Sequence, residues 1–310
     1  MQRSPELDVN DSVVAGGTGG LAEPIALEHR DSARAAFERA LHEASGVVGP
    51  GAVELLNVRV NLGFTTDDPE SRDQILAEAE AEKARVLGAD HPETLDTRWL
   101  RARRMSRFVA AAEILDSACA GLEAHDGANA MWCWSELGYL KSETANLSGA
   151  AAAMQRALSV QIDGPERLPY SPYLHLWQGD TAAAAREFAA GIKAILAVND
   201  PPWWDRYVHA NLELGLAIAR REKGQLREAK QLLTQSVERL QEIATKHSDG
   251  GVDRRLGRAR AELAEVLSAM HAPPSEVAPY AAPAVEWLRQ AGGSSGEISE
   301  LDRLAGQSAP

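Results

Sequence analysis

Histidines are the first place to look for proton transfer or metal ligation in this chain. There are eight: His29, His42, His91, His125, His175, His209, His247 and His271. A helical zinc site of the hydrolase kind needs two histidines four residues apart with a glutamate between them. No pair here has that spacing. Cys119 and Cys133, the only two cysteines, are too far apart for a Cys-x-x-Cys clip. Glu78, Glu80 and Glu82 spread around a helix rather than gathering into a cage. Gly16-Gly17-Thr18-Gly19-Gly20 has the composition of a phosphate-cradling loop, but no Gly-Lys-Ser/Thr ending follows and no buried strand precedes it. Acid–base and nucleophilic catalysis require groups held in mutual reach, and these residues suggest no such set. The sequence predicts no catalytic residue, no metal and no cofactor.

Charge narrows the partners. Lys and Arg total 32 against 45 Asp and Glu, a net of −13. A surface of that sign repels phosphate, so neither nucleic acid nor an anionic membrane is expected as a partner. The basic stretch Arg98, Arg101, Arg103, Arg104 and Arg107 reads as a solvated helix face with carboxylate partners. Cys119 and Cys133 read as small buried hydrophobes in a reducing cytoplasm. No apolar run approaches the roughly 20 residues that span a bilayer. The opening Met1-Gln2-Arg3-Ser4-Pro5-Glu6 lacks a signal-peptide core. A soluble, cytoplasmic chain is expected.

The elements that would position any site are helices. Hydrophobic residues make up 45% and aromatics only 5%, with alanine runs at 150–153 and 182–185 that favour close helix packing. Valine and isoleucine rarely alternate with polar residues, which leaves strands unsupported. Self-similarity settles the arrangement. Phe37, Leu76, Leu115 and Met154 follow one another at equal intervals, and so do Ala40, Ala79, Ala118 and Ala157. A third row, Ala33, Arg72, Ala111 and Ala150, keeps the same interval with Arg72 as its exception. Small residues let two helices approach, and the large residue between them fills the groove.

Between these rows run Leu56, Val60 and Gly63; Leu95, Trp99 and Ala102; and Trp134, Leu137, Gly138 and Lys141. Trp132-Cys133-Trp134-Ser135-Glu136-Leu137-Gly138-Tyr139, followed by Ala150, Met154 and Ala157, resembles the tetratricopeptide repeat (TPR). The resemblance implies an all-α, TPR-like α-solenoid, a right-handed superhelix of antiparallel helix pairs. Val86-Leu87-Gly88-Ala89-Asp90-His91-Pro92-Glu93-Thr94-Leu95 resembles the inter-repeat link of kinesin-light-chain-type repeats. In that stretch Gly88 suits a C-cap, and Asp90 suits the cap of the next helix. Val47-Val48-Gly49-Pro50-Gly51 is a weaker copy. With Trp287-Leu288-Arg289-Gln290-Ala291-Gly292-Gly293, the link is also similar to C-terminal TPR arrays of bacterial serine/threonine kinases, although the kinase motifs themselves do not occur.

The expected organisation is a disordered leader over 1–23, an array over 24–291 and a capping helix over 296–305. The array opens with a helix at 24–46, whose stripe is Ala33, Phe37, Ala40 and Leu41. Pairs follow at about 52–87, 91–124, 129–160, 168–197, 203–246 and 252–291. Pro165, Pro169 and Pro172 predict a short or kinked helix before Gly179-Asp180. Residues 198–204 are expected to form a loop. The last pair is expected to bury Leu263, Ala264, Leu267, Ala278, Ala282, Val285 and Leu288.

The first helix of each pair should line a concave groove. Its inward positions in the early repeats are Asn57, Asn61, Asp96 and Arg103. Trp132, Ser135, Tyr139 and Tyr173 follow, then Asn211 and Ile218. Asparagines can bond a peptide backbone and the aromatics can hold an apolar anchor. The candidate contacts are therefore Asn57, Asn61, Arg103, Trp132, Ser135, Tyr139, Tyr173 and Asn211. The Lys/Asn/Arg carboxylate clamp of chaperone-tail TPRs is not matched. The function expected is a non-catalytic scaffold for a protein or peptide partner. The alternative is a regulatory or sensor array that changes conformation on binding a small peptide or other ligand, bending near Pro172 and Pro201-Pro202. The first helix has no convincing partner before it, so its flank offers a surface for a homodimer or for residues 1–23.

Overall fold

The computed structural model describes residues 27–44, 52–105, 107–125, 127–160, 170–198, 201–246 and 250–306. The expectations for residues 1–23, the glycine cluster, the helix start at Pro24, the 47–51 link, Pro165 and Pro169 lie outside the described residues.

The protein is all-α. The helices are α1 (Leu27–Ala44), α2 (Val53–Thr65), α3 (Pro69–Leu87), α4 (Pro92–Arg104), α5 (Phe108–Glu123), α6 (Gly127–Glu143) and α7 (Leu147–Ser159). They continue as α8 (Tyr170–Trp177), α9 (Thr181–Leu196), α10 (Trp203–Glu222), α11 (Leu226–Lys246), α12 (Gly250–Ala269), α13 (Pro274–Ala291) and α14 (Ser295–Leu304). Each packs chiefly on the helix before it and the helix after it, as expected of a stacked helical repeat.

Side-chain size explains the stacking. Leu76, Leu115, Met154 and Phe188 are fully buried, as are Ala79, Ala118 and Ala157 of the parallel row. A Cβ on Gly138 would come within 3.2 Å of the Ala150 carbonyl oxygen, so α6 and α7 touch almost backbone to backbone there. Short polar caps start the second helices: Asp68, Asn146 and Asp180 accept from the N–H groups of Ser71, Gly149 and Ala183 at 2.8, 3.0 and 2.9 Å. These bonds satisfy donors that no carbonyl inside the helix can reach.

Several local expectations are corrected. The N-cap of α4 is His91 and not Asp90. With Pro92 at the first helical position the cap is the residue just before it, one later than expected, and His91 Nδ1 accepts from the Glu93 N–H at 3.3 Å. Gly88 has φ 107°, outside the left-handed helical well. Ala40 is exposed, although Phe37 on the same helix is buried. Trp203 and Trp204 open α10 instead of closing a loop. In α13 the buried stripe is Val277, Ala281, Ala284, Val285 and Leu288. That shifts the expected Ala278 and Ala282 by one position, with Pro279 exposed on the outer side. Arg72, the exception in its row, donates from Nη2 to the Arg104 carbonyl at 3.4 Å, serving the C-terminal end of α4.

Cys119 and Cys133 are joined in a disulfide, and among the described residues there is no free cysteine. Reading them as free thiols is therefore overturned. The bond ties α5 to α6 inside the core and removes the thiol argument for a reducing compartment. No described helix is long and apolar enough to cross a membrane.

The array closes on itself. The first helix of the last pair, α12, reaches α4. Arg254 Nη1 donates to the Arg103 carbonyl at 2.9 Å, and Arg254 also pairs with Glu136. Arg258 Nε donates to Glu143 at 2.7 Å, and its Nη1 lies 2.5 Å from Glu297. Trp287 of α13 packs on Phe108 with ring centroids 5.4 Å apart. Residues more than a hundred positions apart thus meet across the inner face. The expected concave groove is narrowed to a cavity between α4, α6, α10 and α12.

Candidate binding site

Four inner helices, α4, α6, α10 and α12, each supply walls to this cavity of about 60 Å³. Trp99 and Arg103 come from α4, and Trp132, Ser135, Glu136 and Tyr139 from α6. From α10 come Trp204, Tyr207, Val208 and Asn211, and α12 closes the floor with Gly251 and Arg255. The aromatic walls brace one another edge to face, Trp132 against Trp204 at 5.7 Å and Tyr139 against Tyr173 at 5.0 Å. Such contacts hold the rings in place before anything binds.

Two guanidinium groups reach the site, and Arg255 has Glu143 at 3.9 Å. Arg255 lies over the Tyr139 ring with its guanidinium carbon 3.6 Å from the centroid. Burial opposes that charge, yet Tyr139, Tyr173, Tyr207 and Glu143 carry its pKa above the ordinary arginine value. Arg103 sits 6.0 Å over Trp99. Glu136 is the one carboxylate among the lining residues, and Arg254 already pairs with it. A chain with net charge −13 therefore carries a small aromatic site with two guanidinium groups.

Of the candidate contacts, Arg103, Trp132, Ser135, Tyr139 and Asn211 come together at the cavity. Tyr173 lies behind it, 3% exposed, and its hydroxyl donates to the Asn211 carbonyl at 2.7 Å. Burial pushes its phenol pKa well up. Asn57 lies elsewhere and accepts from Lys83 Nζ at 2.6 Å; Asn61 is half-buried on the same helix. Asp96 accepts from Asn129 Nδ2 at 3.1 Å, and Ile218 packs into the core.

Sequence reasoning placed Trp99 in the core and Trp204 in a loop, and it missed Tyr207 and Arg255. One signal was present: Arg254, Arg255 and Arg258 cluster in one turn of a helix otherwise rich in buried alanine and leucine. Three cations on such a face call for acidic or aromatic partners. The stretch around Arg98 does have carboxylate partners, Arg98 on Glu80 at 2.7 Å and Arg101 on Asp73 at 2.8 Å. Among the described residues no group of three or more His, Cys, Asp or Glu is placed to hold a metal ion.

The fold and site together define an all-α helical-repeat protein with a closed inner face. Among solved structures, BtubC (BKLC) from P. vanneervenii is similar, at 14% identity over 91% of this chain and 94% of that one, with a TM-score of 0.38. No family model and no curated protein matches the chain.

Proposed function

We propose that this chain is a non-catalytic scaffold of kinesin-light-chain-type TPRs that holds a protein or peptide partner at the cavity of its inner face. One observation carries the proposal. Arg103, Trp132, Ser135, Tyr139 and Asn211, from three helices of different repeats, converge on one aromatic opening. Aromatic and arginine side chains in a braced, largely dehydrated pocket are the usual energetic anchors of an interface. Nucleic acid, membranes, cofactors and metals have no part in this reading. A homodimer through an end of the array is compatible with it. A disulfide such as Cys119–Cys133 persists most readily in an oxidising compartment, so the cytoplasmic setting expected from the sequence is not carried into the proposal.

The sensor alternative has an observation of its own. A ligand entering between α4 and α12 meets the side chains that hold the closure, because Arg255 adjoins Arg254, which bonds the Arg103 carbonyl. Selection from a displayed random-peptide library tests both readings. Peptides recovered on the native protein should lose at least about tenfold in affinity, or 1.4 kcal/mol, on Trp132→Ala. Undiminished binding to that variant sinks the proposal. A change in small-angle scattering on adding the selected peptide favours the sensor over the static scaffold.

A further inference from the structure

Behind the cavity wall runs a buried chain of charges. Arg255, which lines the cavity, has Glu143 of α6 at 3.9 Å. Glu143 accepts from Arg258 Nε at 2.7 Å, and Arg258 Nη1 also lies 2.5 Å from Glu297 of α14 and 3.9 Å from Glu262. Glu262 in turn lies 2.8 Å from Arg221 Nη1 of α10, and Arg221 pairs with Glu265. These contacts join three guanidiniums to four carboxylates. The cluster balances only when one carboxyl holds a proton.

Glu262 is the one built to hold it. It is 6% exposed, and its Oε2 takes no hydrogen bond despite the nearness of Arg221. Glu143 by contrast accepts from Arg258, while Glu265 and Glu297 are less buried. The charged groups facing Glu262 are Arg221 from α10, Arg258 and Glu265 from α12 itself, and Glu143 from α6. An ionised carboxylate is costly in such a place unless hydrogen bonds satisfy it, and burial raises this carboxyl to about 7.

We propose that Glu262 switches the cavity by gaining and losing a proton. With its carboxyl neutral, three guanidiniums face three carboxylates, and α12 holds Arg255 over the Tyr139 ring. On ionisation Arg258 is drawn from Glu143 toward Glu262. Glu143 is then left for Arg255, whose guanidinium slides off the Tyr139 face, and that wall of the cavity shifts. The proton exchanges with solvent at the Arg221–Glu265 end of the chain, where both side chains are part-exposed. This rests on the binding reading above and adds its regulation: a ligand held by the braced walls binds more tightly below neutral pH than above it.

The test follows the Arg255 Nε–H and Tyr139 ring resonances of the full-length protein between about pH 6 and pH 8. Both should move with one midpoint near that of the Glu262 carboxyl carbon, itself read by ¹³C resonance. Glu262→Gln, which fixes a neutral group there, should hold both at their low-pH positions. Any transition that histidines cause would persist in that variant. The library peptides that depend on Trp132 should weaken at least about threefold over the same range on the native protein and not on Glu262→Gln. A Glu262 carboxyl that does not titrate in this range overturns the switch without need of the variant. So does movement of Arg255 and Tyr139 that survives in folded Glu262→Gln. Peptides that need Trp132 yet bind equally at both ends of the range overturn the regulation and leave the scaffold reading intact.

Discussion

Within α10, His209 has its Nε2 3.3 Å from Glu213 Oε1, and both side chains are buried. Arg239 reaches Glu213 from α11 at 3.3 Å. Burial, with Arg239 adding to it, pushes the His209 pKa down to about 4 from its ordinary 6.5. A histidine held neutral by the fold contributes stability above the unfolded pKa, and that stability drains away as pH falls through the folded one. The window is therefore 6.5 down to 4, with a ceiling of about 3 kcal/mol at about 1.36 kcal/mol per pH unit. Glu262 works in the opposite sense. Burial raises its pKa to about 7, so its contribution is present below 4.5 and is lost as pH rises to 7. Thermal melts of native protein and His209→Gln across that range separate the two. The variant should lose less stability on acidification; parallel curves would show that His209 does not titrate in this window. At this scale the sequence showed size but not satisfaction. Leu115 and Met154 were legible as core from their spacing, whereas the unbonded oxygen of Glu262 depends on neighbours that only folding supplies.

Among the elements, the spacing of small and large residues gave the helix pairs, because steric fit in a stacked repeat is local and recurs in each copy. The departures have equally local causes: Pro92 moved a cap to His91, and α13 turned its stripe by one residue. The Cys119–Cys133 bond was not legible. A separation of 14 suits many arrangements, and only the antiparallel face shared by α5 and α6 brings the two sulfurs together. Closing a loop of that length restricts the unfolded chain by about 3 kcal/mol. Urea unfolding in the presence of reductant, or of Cys119→Ala with Cys133→Ala, should show a loss of about 2–4 kcal/mol. If reductant leaves the midpoint of the native protein where it was, the bond is not a stabilising element.

For the whole molecule, closure was the least legible property. It depends on the small rotation each pair adds to the last, a sum over many interfaces that no single motif encodes. Gly257 is where sequence and closure meet. A Cβ there would fall 2.2 Å from Cδ2 of Trp287, the ring that carries the last pair onto Phe108. Gly257→Ala should displace Trp287, cost about 1–3 kcal/mol and enlarge the molecule in small-angle scattering. A variant as compact and stable as the parent would show that Trp287 can step aside, and that Arg254 and Arg258 suffice to hold the ends.

That handshake between Arg254 and the end of α4 also bears on ancestry. An open solenoid can lengthen by tandem duplication, since a new copy meets only its two neighbours. Here a copy inserted between α6 and α12 would carry Arg254, Arg258 and Trp287 away from Glu136, Glu143 and Phe108, and a copy lost from that span would drive them past. The number of repeats between α4 and α13 is therefore constrained, and a lineage built on this plan is free to vary its surface but not the length of that span.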